Sequence, residues 1–148
     1  MKNIINNKIL ITLTLVGVLL GASVSASAEE VMLYKNPQCG CCESYATYLR
    51  ENGLTVDVKP THELVAMSQD AGLPAGFQGC HLSFVDGYFV SGHVPIDTVN
   101  KLLTERPDIK GITLPNMPMG SPGMSGTKTE PFTIYSIGEG EPEVYAIE

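Results

Sequence analysis

Three of the four cysteines in this 148-residue chain crowd into one short stretch, KNPQCGCC at residues 35–42, as Cys39, Cys41 and Cys42; the fourth is Cys80. That spacing limits the fold before anything else does. Four cysteines in an oxidising compartment ordinarily read as two structural disulfides. Here two are adjacent and a third is two residues away, so they cannot staple distant parts of the chain together. The fold must rest on an apolar core, and the cysteines read as a site.

The N-terminus points to the compartment. Lys2 and Lys8 flank a short polar start, an apolar run follows over residues 9–22, and Ala26-Ser27-Ala28 has the small-x-small pattern of a cleavage site. Residues 1–28 are expected to be a signal peptide cleaved after Ala28, which makes the protein exported and periplasmic. The run is short for a membrane span, which needs about 20 residues. No other segment is long and apolar enough, so no membrane insertion is expected after cleavage. Residues 29–148 are then expected to form a single domain, large enough for one core. Loss of Lys2 and Lys8 takes the formal net charge from −7 to −9. An acidic exported domain is a poor candidate for binding nucleic acid.

Local patterns order the mature chain. Val31–Tyr34 is a short apolar strand ending at Asn36-Pro37. A helix fits from about Cys41 to Asn52, with Gly53 placed to close it. Leu54–Val58 alternates as a strand does, and Thr61 can cap a short helix over residues 62–70. Leu82–Val85 and Tyr88–Val90 are strands joined by Asp86-Gly87, a favoured hairpin turn. A further helix runs over Ile96–Glu105 and stops at Arg106-Pro107. Residues 107–148 change character and read as a C-terminal extension. It holds a Met/Pro/Gly-rich loop, LPNMPMGSPGMSG (114–126), and a β-hairpin from Pro131–Ile137 and Glu143–Ile147.

The order β-α-β-(α)-β-β-α is that of an α/β, thioredoxin-like fold. In that arrangement the turn after the first strand and the turn entering the third lie side by side. Cys80-His81 is therefore expected beside Cys39, Cys41 and Cys42.

Two chemistries compete for such a site. Cys39 and Cys42 form a C-x-x-C at a helix N-terminus, where the dipole favours thiolate, as in a thiol-disulfide oxidoreductase. Cys41 would then be a competing thiol, and Cys80-His81 would stand where such enzymes place a proline. The alternative is a metal site. Adjacent side chains diverge, so Cys41 and Cys42 reach different ions more easily than one, which suits a thiolate-bridged cluster of a soft ion. In an exported protein the soft candidate is Cu(I), with zinc or an iron–sulfur centre as the other metal readings of four clustered cysteines. His81 and His93 are further candidate ligands, each weighed against an ordinary surface role. Met117, Met119 and Met124 offer thioethers that select Cu(I), or else anchor the extension on the domain. His62 lacks such a context and is expected to be exposed.

KNPQCGCC, GCH, GYFVSGHVP, LLTERP and LPNMPMGSPGM, in this order, resemble the CopG family of bacterial periplasmic copper-resistance proteins. The resemblance runs from about Val31 to the C-terminal strands. It implies a thioredoxin-like fold and a multinuclear copper cluster bridged by Cys39, Cys41, Cys42 and Cys80. It also implies a role in copper resistance or homeostasis, with other periplasmic copper-handling proteins or an electron donor as partners. A position in the first helix that is often tryptophan in the family is Tyr45 here. The function expected is copper binding. A copper oxidoreductase and a dithiol oxidoreductase using Cys39 and Cys42 stand as the enzymatic alternatives.

Overall fold

In a computed structural model, residues 29–148 are described. The expected signal peptide, residues 1–28, lies outside the described residues. β1 (Glu30–Lys35) leads into α1 (Gly40–Glu51), β2 (Thr55–Pro60), α2 (Leu64–Asp70) and a 3₁₀ turn at Ala75–Phe77. β3 (His81–Val85), β4 (Tyr88–Ser91), α3 (Ile96–Glu105), β5 (Gly111–Thr113), β6 (Thr133–Ile137) and β7 (Glu143–Ile147) complete the chain. The strands form one sheet in the order β2-β1-β3-β4-β5-β6-β7. β1 pairs parallel with β2 and β4 with β5; the other neighbours are antiparallel.

The two-residue period of the strands divides the core between the faces. Val31, Leu33 and Lys35 of β1 point to one face, where α1 lies with Tyr45, Ala46 and Leu49 and α3 with Val99 and Leu102. Leu82 and Phe89 point to the other face and pack with Leu64 of α2 and Leu73. On α1 the buried set Cys42, Tyr45, Ala46 and Leu49 follows the i, i+3, i+4, i+7 spacing of a one-sided helix. Each fully buried Leu or Val contributes about 1.5–3 kcal/mol, enough to hold the fold without stapling disulfides.

The expected element order is present, with α3 and β7 at their expected bounds. Asp86 and Gly87 both take positive φ, 47° and 85°, as the hairpin turn requires. β2 continues through Lys59 and Pro60, because it is an edge strand where a missing N–H goes unmissed. α2 starts at Leu64 instead of residue 62. Thr61 Oγ1 accepts a hydrogen bond from the Glu63 N–H at 3.0 Å, forming a turn ahead of the helix. β5 was not expected. It is three residues long and is held by register with β4, Val90 opposite Ile112. The extension thus lengthens the sheet by three strands, and its Met/Pro/Gly-rich loop folds back onto α1.

Candidate metal centre

The N-terminus of α1 gathers three sulfurs. Asn36-Pro37 ends β1, and a turn closed by the Cys39 N–H on the Asn36 carbonyl (3.0 Å) delivers Cys39 as N-cap, with Cys41 and Cys42 in the first turn. No side chain caps this helix, so its first N–H groups face the cysteines. The fourth sulfur arrives through sheet register. β1 and β3 are antiparallel with Lys35 opposite His81, which sets Cys80 beside the residue 36–39 turn. Cys80 Sγ lies 3.4 Å from Cys42 Sγ and 4.0 Å from Cys41 Sγ, and Cys41 Sγ lies 3.5 Å from Cys39 Sγ. All four sulfurs fall within 4.8 Å of one another.

The four sulfurs are not all thiols. Cys39 and Cys42 are joined as a disulfide, while Cys41 and Cys80 are free. A C-x-x-C in the first turn of a helix brings its two sulfurs within bonding range. In this oxidation state two of the four expected ligands are tied to each other.

Both flanking histidines reach the cluster. His93 Nε2 lies 3.1 Å from Cys80 Sγ, and His81 Nδ1 lies 3.5 Å from it. His93 Nδ1 sits 2.6 Å from the Pro122 carbonyl, which can only accept, so Nδ1 carries the proton. The Nε2 lone pair is thereby turned toward Cys80. A metal-binding histidine is commonly oriented this way, its second nitrogen held by a backbone carbonyl. Burial, followed by the neighbouring His93, lowers His81 to about 3, and burial lowers His93 as well. Both rings are neutral at neutral pH. His81 Nε2 is buried and faces no hydrogen-bond partner among the described residues. Burial, then the charge of Cys41, pushes the Cys80 thiol up to about 12. A buried thiol that resists ionisation and two neutral imidazoles are a donor set that a soft cation completes, since metal binding removes the thiol proton.

Tyr45 is the platform under these rings. It is fully buried, stacks on His81 at 4.6 Å between centroids, and leans on His93 at 5.1 Å. Its hydroxyl donates to the Val94 carbonyl at 2.9 Å. The family resemblance marked this position as aromatic, and the stack on both imidazoles supplies the reason. Pro122 is a contributor the sequence did not single out, because a carbonyl from an irregular loop leaves no pattern.

The loop methionines separate. Met119 is exposed, with its thioether near Gly126, whereas Met117 and Met124 are half-buried. Loop 114–126 reaches the site through Pro122 and through Gly123, which lies against the backbone of Tyr45. His62 is exposed, as expected. No helix among the described residues is long and apolar enough to cross a membrane.

Comparison with known proteins places this geometry. A family model described as a protein of unknown function, DUF411, matches residues 77–124, which include Cys80, His81, His93 and the methionine loop. No curated protein matches the chain. Two solved structures, described as copper resistance protein CopG in forms 2 and 1, are each 31% identical to this chain and cover 82% of it. The chain in turn spans 99% and 98% of theirs, with TM-scores of 0.77 and 0.76. At that identity and near-complete coverage, the chain belongs to the CopG family of copper-resistance proteins.

Proposed function

We propose that this protein is an exported copper-binding protein that holds a cysteine-bridged, multinuclear Cu(I) cluster in copper resistance or homeostasis. In this reading residues 1–28 are a cleaved signal peptide and the protein works in the periplasm. The first four strands and three helices form a thioredoxin-like body, and residues 107–148 are its extension. The observation that carries the reading is the convergence of Cys39, Cys41, Cys42 and Cys80 within 4.8 Å, half-buried at Cys80 and fully buried at Cys42, next to two neutral imidazoles.

Adjacent side chains diverge, so Cys41 and Cys42 reach different ions more easily than one, which suits shared, bridging sulfurs. Cu(I) is the soft cation this donor set prefers. Loading requires the Cys39–Cys42 bond to open: two electrons and two protons convert the disulfide into two thiols, and an electron donor supplies them. His93 is pre-aimed by Pro122, and Tyr45 holds both rings in place. His81, Met117 and Met124 are additional candidate ligands.

Anaerobic titration of the reduced chain with Cu(I), followed by metal analysis, tests the proposal. Several coppers per chain, reduced by Cys41→Ser, support it. One copper or fewer, unchanged by that substitution, rules the cluster out.

The disulfide favours a second reading, a thiol-disulfide oxidoreductase using Cys39 and Cys42 at the α1 N-terminus. That reading requires insulin-reducing activity that survives Cys41→Ser and Cys80→Ser. A copper oxidoreductase would combine the two, cycling electrons through the same sulfurs.

A further inference from the structure

One buried charge beside the site has no part in ligation. Lys35 is the last residue of β1 and lies on the strand's inward face after Val31 and Leu33. Only 3% of its side chain is exposed. An ammonium removed from water must be surrounded by acceptors, and here they come from one place. Lys35 Nζ donates to the backbone carbonyls of Asn36, Pro37 and Cys39, each at 3.3 Å, and its fourth neighbour is Glu43 Oε1 at 3.1 Å in the first turn of α1.

Those partners define what the charge does. Three carbonyls of the segment that presents Cys39 converge on one cation, and the carboxylate next to Cys42 meets the same cation. The turn between β1 and α1 is short, exposed at Asn36, Pro37 and Gln38, and has only the Cys39-to-Asn36 hydrogen bond of its own. Beyond that bond and the helix's own ladder, the ammonium is the donor on which these carbonyls converge. Lys35 also stands opposite His81 in the β1–β3 register, so the same residue position ties the Cys39 turn to the strand that carries His81.

We propose that Lys35 is a positioning residue of the metal centre: its buried ammonium gathers the carbonyls of residues 36–39 and fixes Cys39 against Cys41 and Cys42. The proposal rests on the copper-binding reading for its ligand, but not for its geometry. A fixed turn serves any reaction that needs Cys39 at a set distance from Cys42, including closure of their disulfide.

The test compares the wild-type chain with Lys35→Met, which keeps the aliphatic stem and removes all donors, and with Lys35→Gln, which keeps a neutral donor. Two readouts are taken on folded protein, judged by circular dichroism. The first is Cu(I) affinity by competition with a chromogenic chelator. The second is the fraction of Cys39–Cys42 disulfide in the metal-free chain at a fixed glutathione poise and pH 6, where ordinary thiols remain protonated and the equilibrium reads geometry.

Lys35→Met is expected to stay folded, to lose about tenfold in Cu(I) affinity, as is usual for residues that orient ligands, and to form the disulfide severalfold less readily. Wild-type values in both readouts overturn the proposal. If Lys35→Met does not fold, Lys35→Gln is judged by the same two criteria. If the wild-type chain takes up no copper, the copper reading fails, and the disulfide equilibrium alone decides the role of Lys35.

Discussion

Cys80 and His93 meet with Sγ and Nε2 3.1 Å apart, and the other nitrogen of the ring is committed to the Pro122 carbonyl. The pair joins three parts of the chain: the loop entering β3, the segment after β4, and the C-terminal extension. It explains why the extension belongs to the site although none of the cysteines lies in it.

Gly123 is where the extension's loop touches α1. It has φ +79°, and a Cβ there would stand 2.6 Å from the Tyr45 backbone nitrogen. Gly123→Ala therefore both strains the backbone and pushes the loop away, at a cost of about 1–3 kcal/mol. It should lower the melting temperature and move the His93 ring resonances, since Pro122 shifts with its neighbour. Unchanged His93 resonances in a folded Gly123→Ala chain would show that the loop does not orient the ring.

Tyr45 supports both imidazoles from beneath. Tyr45→Ala empties a fully buried aromatic site and should cost about 3–5 kcal/mol. Tyr45→Phe keeps the ring and leaves the Val94 carbonyl without its donor, costing about 1–3 kcal/mol. Copper affinity should fall in the Ala variant and stay close to wild type in Tyr45→Phe, because the stack is retained. Chemical denaturation and chelator competition on both variants check this.

The buried histidines make the metal-free protein acid-sensitive above the carboxylate range. An unfolded histidine takes up its proton near 6.5, whereas His81 in the fold holds out to about 3 and His93 is also lowered. The unfolded state thus binds more protons as the pH falls through 6.5, so stability declines in that direction and is unaffected above it. The decline is at most about 1.4 kcal/mol per pH unit for each histidine. Between pH 6.5 and 5, urea midpoints should fall less steeply for His81→Asn than for wild type. Parallel slopes would contradict the buried, neutral assignment.

Much of this arrangement is legible in the residues. A short apolar run carries β1, alternation carries β2, helical spacing carries α1 and α3, and Asp86-Gly87 carries the hairpin turn. The element order, which those patterns supply, is enough to bring Cys80 to the C-x-C-C turn. Other features escape for physical reasons. β5 is too short to show a period and exists through its pairing with β4. Lys35 stands at an inward position of β1, but alternation alone does not identify which acceptors surround its charge. Pro122 acts through a backbone carbonyl, a group every residue has. The Cys39–Cys42 bond is an oxidation state, which residue order leaves open.

Cys41 separates the metal site from a dithiol. It is free and half-buried, and it lies between Cys39 and Cys80. Cys41→Ser should leave the Cys39–Cys42 disulfide able to form while cutting the number of coppers bound per chain. Thiol counting under oxidising conditions and metal analysis of the reduced, loaded variant measure the two effects separately. Full copper loading in Cys41→Ser would remove this residue from the centre.

The central claim is that the four sulfurs share several Cu(I) ions. X-ray absorption at the copper edge, on reduced chain loaded anaerobically, addresses it most directly. The account predicts sulfur-dominated ligation with a short copper–copper vector that weakens in Cys41→Ser. Copper with sulfur and nitrogen neighbours but no copper–copper vector, at one ion per chain, would contradict it.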